Sequence, residues 1–227
     1  MISALSNQVD WNLRWESANI PMHLRGQTLD DWPPQSELGF KALQAARRFV
    51  DTLPQRIHTP APGASRDDRS LIGVGMAVIG THGSGKTDLV CATLTTAHLT
   101  HGASIGYARA AAFIAACMAC DNPPKDDDER HDPTGRYQRA VRLRRRMVLA
   151  SVAALDDMGK EHKTASSYVA RKINNYLRYR HEIGKPTLVT SNDPIEKWAV
   201  YDPALPSFAL QALPAVLLIG ADLRARR

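Results

Sequence analysis

The chain has 227 residues, of which 44% are hydrophobic and 23% are charged, a balance that suits a globular domain with a sizeable core. Its 29 lysines and arginines outnumber its 23 acidic residues, and the formal net charge of +6 favours a polyanionic partner such as nucleic acid. No apolar run reaches the roughly 18 residues of a membrane span, and the first residues lack the layout of a secretory signal. We therefore expect a cytoplasmic protein without a membrane segment.

The first part of the chain contains two tryptophans, Trp11 and Trp15, four residues apart. That spacing places both on one face of a helix, so we predict a short docking segment over residues 1–18. Residues 19–69 form an N-terminal extension of the domain that follows. One helix is predicted within it, at residues 35–52, because the apolar positions there recur with helical spacing.

The core domain, which we place at residues 70–227, begins with an apolar run at residues 76–79 and a glycine-rich stretch of the form G-x-x-x-x-G-K-T, a P-loop. The segment at residues 88–99 that follows has helix-forming composition without Gly or Pro. A strand, a P-loop and a helix in this order bind phosphate, because the loop N–H groups and the helix N-terminus point at its oxygens. The residues expected to contact a nucleotide are Gly80, Thr81, His82, Gly83, Ser84, Gly85, Lys86, Thr87 and Asp88.

Two side chains of the P-loop have specific expected roles. Lys86 is expected to reach the β- and γ-phosphates, and the Thr87 hydroxyl is expected to ligate Mg²⁺. A plain glycine-rich turn is the alternative, but such a turn would not require the lysine–threonine pair. The sequence therefore predicts a site for ATP or ADP with Mg²⁺.

Short apolar strands alternate with helices through the rest of the core domain. Further strands are predicted at residues 103–107, in the apolar run 147–155, at 187–190 and at 215–219. Helices are predicted at residues 110–121, 137–146 and 166–180, and an exposed loop at 121–135. This alternation predicts a parallel five-stranded sheet in a three-layer α/β domain.

Acidic and amide side chains end two of these strands. Asp156 and Asp157 close the apolar run, which places their carboxylates at the carboxyl edge of the sheet, where such sheets bind their ligands. We expect Asp156 to contact Mg²⁺ and Asp157 to orient or deprotonate the attacking water. Asn192 follows the next strand and is expected to lie near the γ-phosphate. The catalytic candidates are thus Lys86, Asp157 and Asn192, and the metal candidates are Thr87 and Asp156.

Much of the positive charge is concentrated in two predicted helices. One cluster spans residues 136–146 and the other spans residues 171–180. Such clusters are typical of a nucleic-acid contact, and equally of a solvated helix face. Both interpretations stay open for either cluster taken alone.

Motifs on both sides of the P-loop form an ordered set. Asn19-Ile20-Pro21, His23-Leu24-Arg25-Gly26 and Thr28-Leu29-Asp30-Asp31-Trp32 precede it, and Leu155-Asp156-Asp157-Met158-Gly159, Gly184-Lys185-Pro186-Thr187 and Thr190-Ser191-Asn192 follow it. From about residue 19 onward, this set resembles the AAA+ ATPases of the DnaC-type helicase loaders and the related IstB-type transposition helpers. The resemblance implies an ASCE-type parallel sheet and places Ile20 and Pro21 beside the adenine. It also implies a homo-oligomer that places a hexameric replicative helicase on single-stranded DNA.

The sequence departs from this family pattern in three ways. Only residues 1–18 precede the shared region, which resembles compact, phage-encoded loaders. No helical lid is expected after the last strand, which leaves Arg224 as the candidate sensor arginine. Where relatives carry a Ser-Arg pair that supplies an arginine finger, this chain has Ser207 and Phe208. We therefore expect slow hydrolysis, or a substitute finger from Arg171, Arg178 or Arg180.

The sequence thus predicts an ATP-binding and hydrolysing helicase loader that acts on single-stranded DNA in DNA replication. Two alternatives stay open: an IstB-like transposition ATPase that binds duplex DNA, and an ATP-gated adaptor with weak or no hydrolysis. Trp11 and Trp15 are expected to dock on the helicase. The arginines expected to contact DNA are Arg142, Arg144, Arg145, Arg146, Arg178 and Arg180.

Overall fold

A computed structural model describes residues 15–56, 73–123, 135–159 and 167–220 of the protein. Trp11, Arg224 and most of the loop predicted at residues 121–135 lie outside these ranges. Within the ranges, no helix combines the length and the apolar character that crossing a membrane would need.

Helices and strands alternate along the core domain, as predicted. The helices are α1 (Glu37–Asp51), α2 (Leu53–Arg56), α3 (Lys86–His101), α4 (Ala110–Asp121), α5 (Arg136–Leu149), α6 (Ser167–Glu182) and α7 (Leu205–Ala212), and two 3-10 helices span Met22–Leu24 and Ile195–Val200. The strands are β1 (Met76–Ile79), β2 (Ile105–Arg109), β3 (Val152–Met158), β4 (Thr187–Ser191) and β5 (Ala215–Leu217).

The five strands form one sheet in the order β2-β3-β4-β1-β5, and every neighbouring pair is parallel. Parallel neighbours need crossover connections, which the helices supply on both faces of the sheet. The strands β1 and β4 are buried along their whole length; β1 is a continuous apolar run, whereas β4 also buries Thr187, Thr190 and Ser191. The predicted three-layer α/β fold with a parallel five-stranded sheet is confirmed. This order brings the carboxyl ends of β1, β3 and β4 side by side.

The apolar run at residues 147–155 does not form one strand, which corrects its predicted boundaries. Its first residues are the last turn of α5, where Met147 is completely buried, and β3 begins only at Val152. The strand then continues through Asp156 and Asp157, so both acidic residues lie within it rather than after it. Its pairing with β4 shifts register between Leu155 and Met158, because a bulge interrupts the ladder there.

The N-terminal segment packs against one face of the sheet together with α1 and α3. Trp15 is 4% exposed, and its ring lies edge-on to His98 with 5.4 Å between the ring centroids. A side chain in this position contributes to the core, so the expected docking role of Trp15 on a helicase is wrong. Ile20 and Leu24 belong to the same hydrophobic cluster, which means that this segment shares its core with the sheet.

Arg180 is completely buried, so the prediction that it contacts DNA is wrong. Its Nη1 donates to the carbonyls of Met147, Val148 and Ala150 at 3.0, 2.9 and 2.9 Å. Its Nη2 donates to the Pro186 carbonyl at 2.8 Å, and its Nε donates to the Thr187 hydroxyl at 2.9 Å. The guanidinium therefore joins the end of α5 to the beginning of β4.

Candidate nucleotide-binding site

The P-loop connects β1 to α3 and has the backbone that its glycines permit. Gly83 and Gly85 have φ values of +71° and +87°, in the left-handed region that favours glycine. A Cβ on Gly80 would lie 1.9 Å from the carbonyl oxygen of Leu218, so only glycine fits where the loop begins. The loop is thereby held between the carboxyl end of β1 and the chain that follows β5.

Lys86 lies across the P-loop and is 7% exposed. Its Nζ donates to the carbonyls of Gly80 and Thr81 at 3.0 and 2.6 Å, and to Oδ1 of Asn192 at 2.8 Å. These three acceptors are neutral oxygens at the mouth of the loop, and phosphate oxygens would make stronger, charge-assisted bonds with the same cation. The residues present therefore fit a bound nucleotide. Asn192 lies beside Lys86, and its contact with a γ-phosphate stays a prediction.

Asp156 is 2% exposed and lies directly beside the start of α3. Both of its carboxylate oxygens are 3.1 Å from the hydroxyl of Thr87. A hydroxyl and a carboxylate are hard oxygen ligands of the kind that Mg²⁺ takes, directly or through its waters. The two metal candidates are thus in contact and fit the predicted ion.

Two further hydroxyls bind the same carboxylate, and the sequence analysis missed both. The Tyr107 hydroxyl donates to Oδ2 of Asp156 at 2.7 Å, and the Thr190 hydroxyl donates to Oδ1 at 2.6 Å. Burial first, and then the charge of Asp156, raise the pKa of Tyr107 well above its usual range, so the phenol keeps its proton and donates. The sequence could have indicated Tyr107, because the hydroxyl of a tyrosine in a buried strand usually has a polar partner.

Asp157 has an unusual backbone conformation, with φ at +63°. Such values are uncommon for residues other than glycine, although aspartate tolerates them better than most. Its N–H donates to the Thr190 hydroxyl at 2.8 Å, so Thr190 binds both acidic residues and supports the bulge in β3. Functional sites often contain such strained residues. The role of Asp157 in orienting water stays a prediction.

The segment expected beside the adenine is bound to the edge of β2. The N–H of Tyr107 donates to the Ala18 carbonyl at 2.9 Å, and Nδ2 of Asn19 donates to the Tyr107 carbonyl at 3.1 Å. Ile20 is 1% exposed, and Pro21 is half-buried. The contact of Ile20 and Pro21 with an adenine stays a prediction.

A groove of about 1570 Å³ runs between α4 and α5. Small apolar residues of α4, among them Ala112, Ala115 and Ala119, line it on one side. Arginines of α5 line it on the other side: Arg136, Arg139, Arg142, Arg145 and Arg146. Three of the predicted DNA-contacting arginines are therefore in this groove.

Two further candidates, Arg144 and Arg178, are half-buried and bind within the protein. Nη1 of Arg144 lies 3.7 Å from Oδ1 of Asp121, and Nζ of Lys172 lies 2.7 Å from Oδ2 of the same carboxylate. The Arg178 guanidinium lies over the Phe208 ring, 4.7 Å from its centroid, and its Nε donates to Asn174. Phe208 thus forms a packed contact at the position where the resemblance would place an arginine.

No protein-family model and no curated protein matches the chain. Its fold is similar to that of the DnaC helicase loader, with 18% identity, a TM-score of 0.60, and coverage of 87% of this chain and 99% of that one. It is also similar to a putative primosome component from Streptococcus pyogenes, with 19% identity, a TM-score of 0.58, and coverage of 92% and 96%.

A third solved structure is a replication initiator DnaA bound to AMPPCP and single-stranded DNA, with 15% identity and a TM-score of 0.58. The match covers 88% of this chain and 50% of DnaA. At these identities the likeness is one of fold, and at that level the predicted resemblance is confirmed. The chain therefore has an α/β P-loop fold with a parallel five-stranded sheet, similar to the fold of the DnaC helicase loader.

Proposed function

We propose that the protein is an ATP-binding and hydrolysing helicase loader that acts on single-stranded DNA in DNA replication. The observation that carries the proposal is the joining of four predicted residues into one site on a loader-like fold: Lys86 bonds to Asn192, and Thr87 bonds to Asp156. Lys86 and Thr87 begin α3, Asp156 lies in β3 and Asn192 follows β4. Because these are three separate parts of the chain, their meeting is not a consequence of the P-loop motif alone.

Different residues of this site would bind the phosphates, the metal ion and the attacking water. The P-loop N–H groups and Lys86 would hold the phosphates, and Thr87 and Asp156 would hold Mg²⁺. The ion, when bound, neutralises negative charge that develops on the phosphate oxygens. Asp157 and Asn192 would orient the attacking water near the γ-phosphate.

The groove between α4 and α5 is the proposed path for single-stranded DNA. Its arginines suit phosphates, and its alanine-rich side offers an apolar surface for unstacked bases. A solved neighbour of similar fold, DnaA, binds both a nucleotide analogue and single-stranded DNA.

Charge reversal in the groove tests this path. We expect Arg145→Glu to weaken single-stranded DNA binding by about tenfold. The slope of the logarithm of the association constant against the logarithm of the salt concentration should become shallower by about 0.7, the contribution of one phosphate. Fluorescence anisotropy over a salt series measures both quantities. The matched control is Arg48→Glu, which makes the same charge change at an exposed arginine of α1. Equal losses in both variants would show that only net charge matters and would exclude the groove.

A second candidate function is an ATP-gated adaptor with slow or no hydrolysis. Phe208 favours it, because the residue at this position cannot act as an arginine finger. Arg178, a possible substitute, is engaged by the Phe208 ring and by Asn174. The loss of a finger typically lowers the hydrolysis rate by orders of magnitude.

The loader function itself is tested by helicase transfer. The full chain is mixed with the replicative helicase of the same cell and with circular single-stranded DNA, and helicase that stays on the circle is measured. We expect retention only with the protein and ATP, and light scattering should show the proposed homo-oligomer. Helicase that is never captured, although the protein binds ATP and DNA, would contradict the loader and leave the adaptor.

A further inference from the structure

The carboxylate of Asp156 is held by hydroxyls from three different elements. Thr87 belongs to α3, Tyr107 to β2 and Thr190 to β4. If Thr87 turns its hydroxyl toward Mg²⁺, Tyr107 and Thr190 continue to fix the two carboxylate oxygens. Each of these two donors binds a different oxygen, so together they define the plane of the carboxylate.

Tyr107 is placed for this contact by the geometry of two neighbouring strands. Tyr107 pairs with Ala154 in the ladder between β2 and β3, and Asp156 pairs with Arg109 two positions further on. Residues two apart on a strand share a face, and a long aromatic side chain reaches the diagonal neighbour. Tyr107 as a whole is 3% exposed, so water does not replace its hydroxyl easily.

The backbone of Tyr107 is fixed as well. On the edge of the sheet, its N–H and its carbonyl are bound by Ala18 and by the side chain of Asn19. Asn19 has φ at +62°, which turns the N-terminal segment across the strand. The phenol therefore projects from a position that is held on both sides, by β3 and by this segment.

We propose that Tyr107 is a positioning residue, whose hydroxyl orients the carboxylate of Asp156 toward the Mg²⁺ of a bound nucleotide. The inference rests on the proposed function of the site and assigns a role to a residue outside the P-loop motif. Partners that hold metal ligands in this way commonly change metal affinity by 10- to 100-fold when they are removed. The 2.7 Å bond to a charged acceptor is a strong one of its kind.

Tyr107→Phe removes the donor while it keeps the ring and its packing. A fluorescent, non-hydrolysable ATP analogue is titrated against the full chain, first in EDTA and then over a series of Mg²⁺ concentrations. We expect the Mg²⁺ concentration at half-maximal enhancement of binding to rise by about tenfold. Affinity in EDTA should stay within about twofold, because the phosphate contacts of the P-loop are intact.

Tyr176→Phe is the matched control. Tyr176 is also buried, and its hydroxyl donates to the Met147 carbonyl at 3.2 Å, on a helix away from the P-loop. Both variants lose one buried hydrogen bond, but only Tyr107→Phe should change the Mg²⁺ series. Thermal unfolding of both variants gives the stability readout.

Three results would overturn the proposal. The first is a Mg²⁺ series that is unchanged in Tyr107→Phe. The second is a Tyr107→Phe variant that melts at a lower temperature and binds the ATP analogue more weakly in EDTA, while the Mg²⁺ concentration at half-maximal enhancement stays unchanged. That result would indicate a purely structural role. The third is a wild-type chain that binds no nucleotide, which would refute the proposed function as well and is thus distinguishable from the other two.

Discussion

Arg180→Met is expected to lower the free energy of unfolding by about 3 kcal/mol, because it removes the partner of several buried carbonyls at once. The carbonyls of Val148, Ala150 and Pro186 accept bonds from the guanidinium, as does the Thr187 hydroxyl. Burial of a charge is itself unfavourable, which limits the net loss, but an unsatisfied buried polar group typically costs about 1–3 kcal/mol. Urea unfolding measures the difference.

Arg178→Met provides the control for this prediction. It is the same substitution in the same helix, at a half-buried arginine that stacks on Phe208. We expect a loss of about 1 kcal/mol or less, as for a partly exposed cation–π contact. If Arg180→Met were no more destabilising than Arg178→Met, the hydrogen bonds of Arg180 would not hold α5 to the sheet.

Lys86→Ala is expected to weaken ATP binding by about 100-fold, which corresponds to about 2.7 kcal/mol. A charge-assisted hydrogen bond contributes about 1.5–3 kcal/mol, and no other side chain is predicted to carry this contact to the phosphates. Isothermal titration calorimetry with ATP and Mg²⁺ measures the affinity.

Lys185→Ala is the matched control for the lysine. Lys185 is half-buried and, like Lys86, donates from Nζ to a backbone carbonyl, that of Leu149. It lies just before the amino end of β4, whereas the P-loop follows the carboxyl end of β1, so the two lysines are at opposite ends of the parallel strands. Its removal should leave ATP affinity unchanged, and a loss equal to that of Lys86→Ala would contradict the assigned phosphate site.

The central strands and the P-loop could be predicted because their signals are local. Residues 76–79 form a continuous apolar run, and residues 187–190 consist of Leu188 and Val189 between two β-branched threonines. Both compositions favour a strand, and the structure has a strand at each place. The run at residues 147–155 was misjudged because an apolar helix end and an apolar strand look alike without periodicity. Met147 is apolar because it anchors the end of α5, not because it extends β3.

The candidate site was predictable only as far as its motifs extend. Lys86, Thr87, Asp156 and Asn192 lie in recognisable patterns, and the structure brings them together. Tyr107 and Thr190 are in contact with Asp156 because β2, β3 and β4 are neighbours in the sheet, and one sequence does not reveal that order. The bulge at Asp157 likewise depends on pairing with β4.

Arg180 of α6 shows that a cluster of basic residues in the sequence does not by itself predict an exposed, DNA-binding surface. Arg180 lies on the same helical stripe as Ile173, Tyr176 and Leu177, which are all buried. The helical spacing that places Arg180 on this buried stripe is visible in the sequence. Arginines are rarely buried completely, however, so an exposed side chain was the natural expectation. Five hydrogen bonds make the exception possible, and all their acceptors come from the ends of other elements.

The most direct test of the account is ATP hydrolysis by the full chain, measured alone, with single-stranded DNA and with duplex DNA. We predict slow hydrolysis that single strands stimulate and that Lys86→Ala abolishes. Stimulation by duplex alone would contradict the loader and favour a transposition ATPase. Tight ATP binding with no turnover under any condition would contradict the enzyme and leave an ATP-gated adaptor.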